Sequence, residues 1–188
     1  MKFIIVQASL LATGLVIALA APAQTTAAGP YYATPSWDQQ IPAATRFIVL
    51  SNWDSKAVLD RETGLVWERD PLNERSPTFA QEVFGNAVSL CIQSHTGGRK
   101  GWRLPSISEL QSLYDASGAS SGLMLPIGHP FKNIQTLVNY WSSTTDAIYV
   151  QTAYAQGFSS RGSVITDFKS QRLGIWCVRG PGGNNYSN

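Results

Sequence analysis

Charge is scarce in this chain: Asp, Glu, Lys and Arg make up 14% of its 188 residues, against roughly a quarter in an average soluble protein. With aromatics at 11% and hydrophobic residues at 44%, that scarcity excludes a disordered chain, a coiled coil and a polyelectrolyte. Neither sign dominates. Fourteen basic residues face 12 acidic ones, so no whole-molecule field draws the protein to nucleic acid or to an anionic membrane, and neither is expected as a partner. Cysteine is limited to Cys91 and Cys177, too few for a zinc ribbon or an iron–sulfur cluster. Histidine is limited to His95 and His129, too few for a His-rich metal site, and neither has a nucleophile or carboxylate at a diagnostic spacing. A Walker A run, an H-E-x-x-H pair and a dinucleotide fingerprint are all missing. No catalytic residue, metal or cofactor is therefore assigned.

One long apolar run is present, from Phe3 to Ala20 behind Lys2, and Ala21-Pro22-Ala23 follows with the small-x-small pattern of signal peptidase. Polar Gln7, Ser9 and Thr13 dilute the run and no basic cluster follows it, so a cleaved signal is favoured over a membrane anchor. Cleavage before Gln24 removes 23 of the 188 residues and leaves 165. Loss of Lys2 leaves 13 basic residues against 12 acidic, a net charge of +1. The product is exported, to the periplasm or the medium. In such a compartment two lone cysteines form a disulfide, Cys91–Cys177. Cys91 and His95 stand four apart and imitate a thiol–imidazole couple, but oxidation of the thiol removes that alternative.

The organisation expected is a signal peptide over 1–23, a Pro-containing linker or arm over 24–44, one domain over 45–180 and a Gly/Asn-rich tail over 181–188. Within the domain, Phe47 to Leu50 reads as a strand. Ala57 to Asp60 and Leu65 to Glu68 read as a hairpin turned at Gly64. Thr78 with Gln81 forms a capping-box pattern ahead of a helix whose apolar face carries Phe79, Val83, Phe84, Ala87 and Cys91. Ser106 with Glu109 is a second capping box, opening a shorter helix with Ile107, Leu110, Leu113 and Tyr114 as apolar positions. The Gly/Ser/Pro-rich stretch from Ala116 to Leu137 reads as a functional or Ω-type loop. Strands are then predicted at Tyr140–Ser143, Ile148–Tyr154, Val164–Phe168 and Gly174–Arg179. The fold class is α+β, with two helices, a mainly antiparallel sheet and one disulfide.

Two segments stand out: Gly97 to Ser106 (GGRKGWRLPS) and Tyr140 to Thr144 (YWSST). Their tryptophans read as core anchors. Arg99, Lys100 and Arg103 put three cations within five residues, either a solvated loop or an anion site. In the last third of the chain, Lys169 and Arg172 belong to a stretch in which Asp167 is the exception among basic residues. These five residues form the candidate ligand-binding surface, for a sulfated or otherwise anionic polysaccharide or a protein partner.

The order of motifs resembles the Lcl C-terminal domain family. It runs Leu59-Asp60-x-x-Thr63-Gly64-Leu65-x-Trp67, the helix ending at Cys91, Gly98-x-x-Gly101-Trp102-Arg103-Leu104-Pro105-Ser106-x-x-Glu109-Leu110, Pro130-Phe131, Tyr140-Trp141-Ser142-Ser143-Thr144 and Trp176-Cys177-Val178-Arg179-Gly180, over about residues 55 to 180. The resemblance implies a C-type-lectin-like fold in bacterial exported proteins, distantly similar to the formylglycine-generating enzyme domain. It also implies a structural bridge from the helix to the last strand. The namesake is a collagen-like adhesin whose C-terminal domain is associated with sulfated glycosaminoglycans. This chain has no Gly-x-y segment, and Trp141-Ser142-Ser143 stands where sugar-binding C-type lectins carry a calcium motif, so trimerisation and calcium-dependent sugar binding do not carry over. Two functions remain open. One is an exported binding module for an anionic glycan or a protein. The other is a cell-envelope hydrolase or oxidoreductase whose site leaves no motif. Export is checked by the mass of the protein recovered from the cell envelope or medium: a chain beginning at Gln24 is expected, and one retaining Met1 or Lys2 rejects the cleaved signal.

Overall fold

The computed structural model describes residues 26–27, 41–74, 81–159 and 162–180. The signal segment, most of the 24–44 arm, Thr78 and the 181–188 tail lie outside these residues. Two five-stranded sheets make up the framework. In chain order the strands are β1 (Thr26–Ala27), β2 (Phe47–Leu50), β3 (Ala57–Asp60), β4 (Val66–Glu68), β5 (Gln81–Glu82), β6 (Asn139–Thr145), β7 (Thr152–Gly157), β8 (Val164–Phe168), β9 (Leu173–Gly174) and β10 (Val178–Arg179). Their spatial orders are β1-β2-β3-β4-β10 and β5-β9-β6-β7-β8. Pairing is antiparallel except for β1 with β2 and β6 with β9. The α-helices are α1 (Ala43–Arg46), α2 (Phe84–Gln93) and α3 (Ile107–Ser112). The fold is α+β. None of the helices among the described residues is long and apolar enough to cross a membrane.

The local signals explain several elements. In the β3–β4 hairpin Gly64 takes φ 72°, a conformation that a Cβ disfavours. The Asp60 carboxylate receives the Glu62 N–H at 3.0 Å and the Thr63 hydroxyl at 3.0 Å, which closes the turn. The capping box at α3 is formed as its sequence predicts: Ser106 Oγ accepts from the Glu109 N–H at 3.2 Å, and Glu109 Oε2 accepts from the Ser106 N–H at 2.8 Å. Leu110 and Leu113 are buried, while Tyr114 is exposed.

Three predicted elements have different bounds. The first long helix begins at Phe84, because the main chain of Gln81 and Glu82 is committed to β9. There Glu82 Oε2 accepts from the Val83 N–H and the Asn86 amide. The predicted strand from Ile148 starts at Thr152, since Asp146 Oδ1 takes the Ile148 and Tyr149 N–H groups at 2.7 and 3.1 Å and folds them into a turn. The predicted strand from Gly174 to Arg179 is split. Leu173–Gly174 belongs to one sheet and Val178–Arg179 to the other, with residues 175–177 crossing between them. The single sheet read from the sequence is therefore two. Part of the 24–44 arm is structured: Thr26–Ala27 adds to β2, and Ala43 opens α1.

Both sides of the crossing are aromatic. Trp176 lies with its ring centroid 5.4 Å from Trp67, 5.0 Å from Phe131, 5.7 Å from Tyr140 and 5.5 Å from Phe158, contacts worth about 0.5–1.5 kcal/mol each beyond burial. Burial pushes the Tyr140 hydroxyl up to about 12, where it accepts the Gln135 N–H at 2.9 Å. The second core holds Trp53, Trp102 and Trp141 with Ala87, Cys91 and Cys177. There the Cys91–Cys177 disulfide joins α2 to the crossing, with its Cα atoms 5.5 Å apart. Because the bridge closes a loop of 86 residues, chain-entropy reasoning gives it a stabilisation of about 4 kcal/mol. Urea unfolding of Cys91→Ala/Cys177→Ala is expected to show a loss near that size, and a loss under about 1 kcal/mol would contradict the entropic account.

Candidate functional site

Most of the recurring motif residues are spent on the fold. Arg46, from α1, meets Asp60 through two parallel bonds, Nε to Oδ1 at 2.9 Å and Nη2 to Oδ2 at 2.8 Å. Nη2 also donates to the Ser112 carbonyl at 2.7 Å, and Nη1 meets Glu62 Oε2 at 2.7 Å. Asp60 is fully buried, so this bidentate pair and the Thr63 hydroxyl are what make its charge tolerable in the interior. The Leu59-Asp60-x-x-Thr63-Gly64 pattern is thus a turn that also binds α1 and the end of α3.

The second pattern is a clamp around α3. Arg103 forks onto Glu109, Nη2 to Oε1 at 2.7 Å and Nη1 to Oε2 at 2.8 Å. Trp102 is buried and its indole N–H reaches the Arg99 carbonyl at 2.9 Å. From β6, the Ser143 N–H donates to the Pro105 carbonyl at 2.7 Å, and Thr144 Oγ1 accepts from the Ile107 N–H at 3.0 Å. Ser142 Oγ donates to the Tyr154 carbonyl at 2.7 Å, and the Trp141 indole donates to the Glu82 carbonyl at 2.8 Å. The Trp141-Ser142-Ser143-Thr144 run locks sheet to helix. Its Ser142 and Thr144 side chains are engaged in that lock.

The histidines stand apart from each other. His95 is exposed, with Nδ1 2.7 Å from the Gln93 carbonyl. His129 stacks on Phe131 with centroids 5.8 Å apart, and burial pushes its imidazole below the usual value. Among the described residues, no group of three His, Cys, Asp or Glu side chains gathers as a metal site would require. A shallow depression lined by Pro71, Leu72, Gln135, Tyr140 and Ile175 has a volume of about 10 Å³, room for about one water molecule.

The five candidate cations fall into two groups. Arg99 and Lys100 are exposed and follow the turn at Thr96–Gly98. The Arg99 guanidinium lies 5.3 Å from the Trp53 ring centroid, and Arg179, from β10, lies 5.4 Å from the same ring. Arg179 Nε also donates to the Lys100 carbonyl at 2.7 Å. Arg103, next in sequence, has its fork turned into Glu109. Lys169 and Arg172 lie at the other end of α2. The Lys169 carbonyl receives the Phe84 N–H at the first residue of that helix, and its ammonium lies 4.9 Å from the Phe84 ring while bonding Thr145 Oγ1 and the Val150 carbonyl. Arg172 is paired with Glu82 at 2.9 Å and bonded to the Gln81 carbonyl. Hydrogen bonding from Asn86, aided by Arg172, holds the Glu82 carboxyl below its usual range against the effect of burial. The ten residues of α2 make it about 15 Å long at 1.5 Å per residue, and the two groups lie toward its opposite ends.

The structure therefore brings Arg99 and Lys100 together with two residues that sequence reasoning did not place there, Trp53 and Arg179. Only the last-strand motif Trp176-Cys177-Val178-Arg179 hinted at Arg179, and no local signal links it to Lys100. Their meeting depends on the Arg103–Val178 bridge between the two segments.

The Lcl C-terminal domain model matches residues 56–179. No curated protein matches the chain. The match covers both the buried motif residues and the Arg99–Lys100 turn, whose roles are separable by stability. Arg103→Ala, which strands the largely buried Glu109, is expected to cost about 2 kcal/mol. Arg99→Ala/Lys100→Ala is expected to cost under about 1 kcal/mol. Denaturant titration of the two variants checks this, and the reverse order would show that the exposed cations hold the fold.

Proposed function

The chain belongs to the Lcl C-terminal domain family, and from that premise we propose that it is an exported, non-enzymatic binding module that takes an anionic polysaccharide at Arg99 and Lys100. The observation that carries this reading is the pair of guanidiniums, Arg99 and Arg179, set on one buried indole, with Lys100 beside them. Neither Arg99 nor Lys100 has a carboxylate partner among the described residues. A cation that rests on an aromatic ring is held in place without losing its charge. Its N–H fork stays directed at sulfate or carboxylate oxygens, which it meets with paired hydrogen bonds.

The near neutrality of the rest of the molecule shapes the affinity. With little long-range steering, binding rests on contacts within about 8 Å at physiological ionic strength, so it is weak singly and salt-sensitive. A polymer that repeats its anionic groups compensates by rebinding along its length. Lys169 and Arg172, toward the other end of α2, are a second place for the same polymer to bind. They are already bonded within the protein and contribute less.

Heparin, as a sulfated probe, tests the reading. Wild type is expected to be retained at low salt, Lys169→Ala/Arg172→Ala to elute slightly earlier, and Arg99→Ala/Lys100→Ala to elute near the void. A folded Arg99→Ala/Lys100→Ala variant that elutes with wild type rejects the site, and no retention of wild type rejects the ligand class.

A further inference from the structure

Strand β8 is the outer strand of its sheet. It pairs with β7 from Thr152↔Phe168 to Gln156↔Val164. At the two ends of the ladder the Lys169 N–H bonds the Gln151 carbonyl at 2.9 Å and the Gly157 N–H bonds the Ser163 carbonyl at 3.2 Å. Antiparallel alternation then assigns residues 163, 165, 167 and 169 to bonds with β7, and turns the main-chain groups of Val164, Thr166 and Phe168 toward the free edge. Phe168 is already satisfied: its N–H reaches Asp167 Oδ1 at 2.8 Å and its carbonyl accepts from Gln171 at 2.8 Å. What stays unspent is one N–H and one C=O at Val164, and one of each at Thr166.

We infer that this edge is a self-association surface, on which a second copy of the chain adds its own β8 antiparallel across a twofold axis at Ile165. In that register Val164 lies opposite Thr166 of the second copy and Thr166 opposite its Val164. Each pair exchanges two bonds, so the four unspent groups on each strand are all used and none is left over. Asp167 falls opposite Ser163 of the second copy, so no like charges meet within the ladder. Ile165, partly buried against the core, faces its own copy and loses its remaining exposure.

The flank of the edge supplies apolar area. Ile148, Tyr149, Val150 and Phe168 are 81%, 58%, 68% and 54% exposed. They are nonetheless held in fixed positions, by Asp146 on the Ile148 and Tyr149 N–H groups and by Lys169 on the Val150 carbonyl. A cluster of apolar side chains fixed in solvent next to open strand groups is the arrangement that natural edges avoid unless something covers them. The antiparallel register places Phe168 opposite Gly162 of the second copy. The interface is small, so the dimer is weak and concentration-dependent.

Sedimentation of the mature protein from about 10 µM to about 1 mM tests the inference over the range that a small interface can reach. Wild type is expected to shift toward dimer. Thr166→Pro removes only the outward N–H, a substitution an edge strand accommodates. By symmetry it deletes two bonds of the four, so the dissociation constant should rise about thirtyfold. Thr166→Lys, which keeps the main chain intact and sets two cations near each other across the axis, should raise it at least as much. It decides the matter if the proline variant melts early. A chain that stays monomeric throughout overturns the inference, as does a dimer that neither substitution weakens.

Discussion

The buried carboxylate of Glu68 is the point on which the rest of this structure depends. It sits at the end of β4, fully buried, where an unsatisfied charge would cost several kcal/mol. Its Oε2 accepts the Cys177 N–H at 3.0 Å, and its Oε1 accepts the Ser94 and Thr96 hydroxyls at 3.1 and 3.0 Å. Its main chain is engaged too, with its carbonyl taking the Trp176 indole at 2.8 Å and its N–H donating to the Cys177 carbonyl at 3.2 Å. One side chain therefore requires the crossing segment, the end of α2 and the disulfide to be in place together. The disulfide joins two of these pieces, α2 and the crossing segment, covalently. Loss of any partner leaves the carboxylate buried and underbonded, which makes this corner cooperative.

The candidate site hangs from that corner. Thr96, held by Glu68, begins the turn in which Gly97 takes φ 63°. A Cβ at Gly97 would lie 2.7 Å from the Trp53 Cβ, so the close approach of the turn to Trp53 requires glycine. Trp53 in turn stands edge-on to Trp102, with centroids 6.4 Å apart, and carries both Arg99 and Arg179. Arg99 is exposed and Arg179 half-buried, yet the ring beneath them is set by a buried hydrogen-bond network two steps away. This is how a loop of ordinary appearance becomes a preorganised surface.

Local patterns in the sequence were enough for the elements whose determinants lie within a few residues. The hairpin at Asp60–Gly64, the Ser106–Glu109 capping box and the burial of Ala87 and Cys91 on one helix face are of this kind. The split of Gly174–Arg179 was hidden, because its β-branched and aromatic composition is the same whether its ends join one sheet or two. The division is decided by Gln81 and Trp67, far away in the chain. The start of α2 was misplaced for a similar reason: Gln81 looks like a cap locally but is claimed by β9. The pairing of Arg103, a candidate for the anion site, is hidden because Glu109 already has a local role in the capping box. The structure shows that one carboxylate serves both, its Oε2 shared between the Ser106 N–H and the Arg103 fork.

These shared duties separate scaffold from surface within a single motif. In Gly98-x-x-Gly101-Trp102-Arg103-Leu104-Pro105-Ser106-x-x-Glu109-Leu110 the named positions are buried, paired or held in left-handed conformations, with Gly98 at φ 68° and Gly101 at φ 84°. The first two open positions are Arg99 and Lys100, and they project from between two glycines that set the path of the chain. Exchanging these two side chains leaves the Trp102 indole bond intact, because it is made to the Arg99 main-chain carbonyl. The Arg179 bond is likewise made to the Lys100 carbonyl. The neighbours are thus fastened to the backbone of the turn, and the side chains at 99 and 100 carry almost no structural load. A framework built this way can present different chemistry at those two positions without refolding. In this chain the chemistry presented is two positive charges on an otherwise nearly neutral protein.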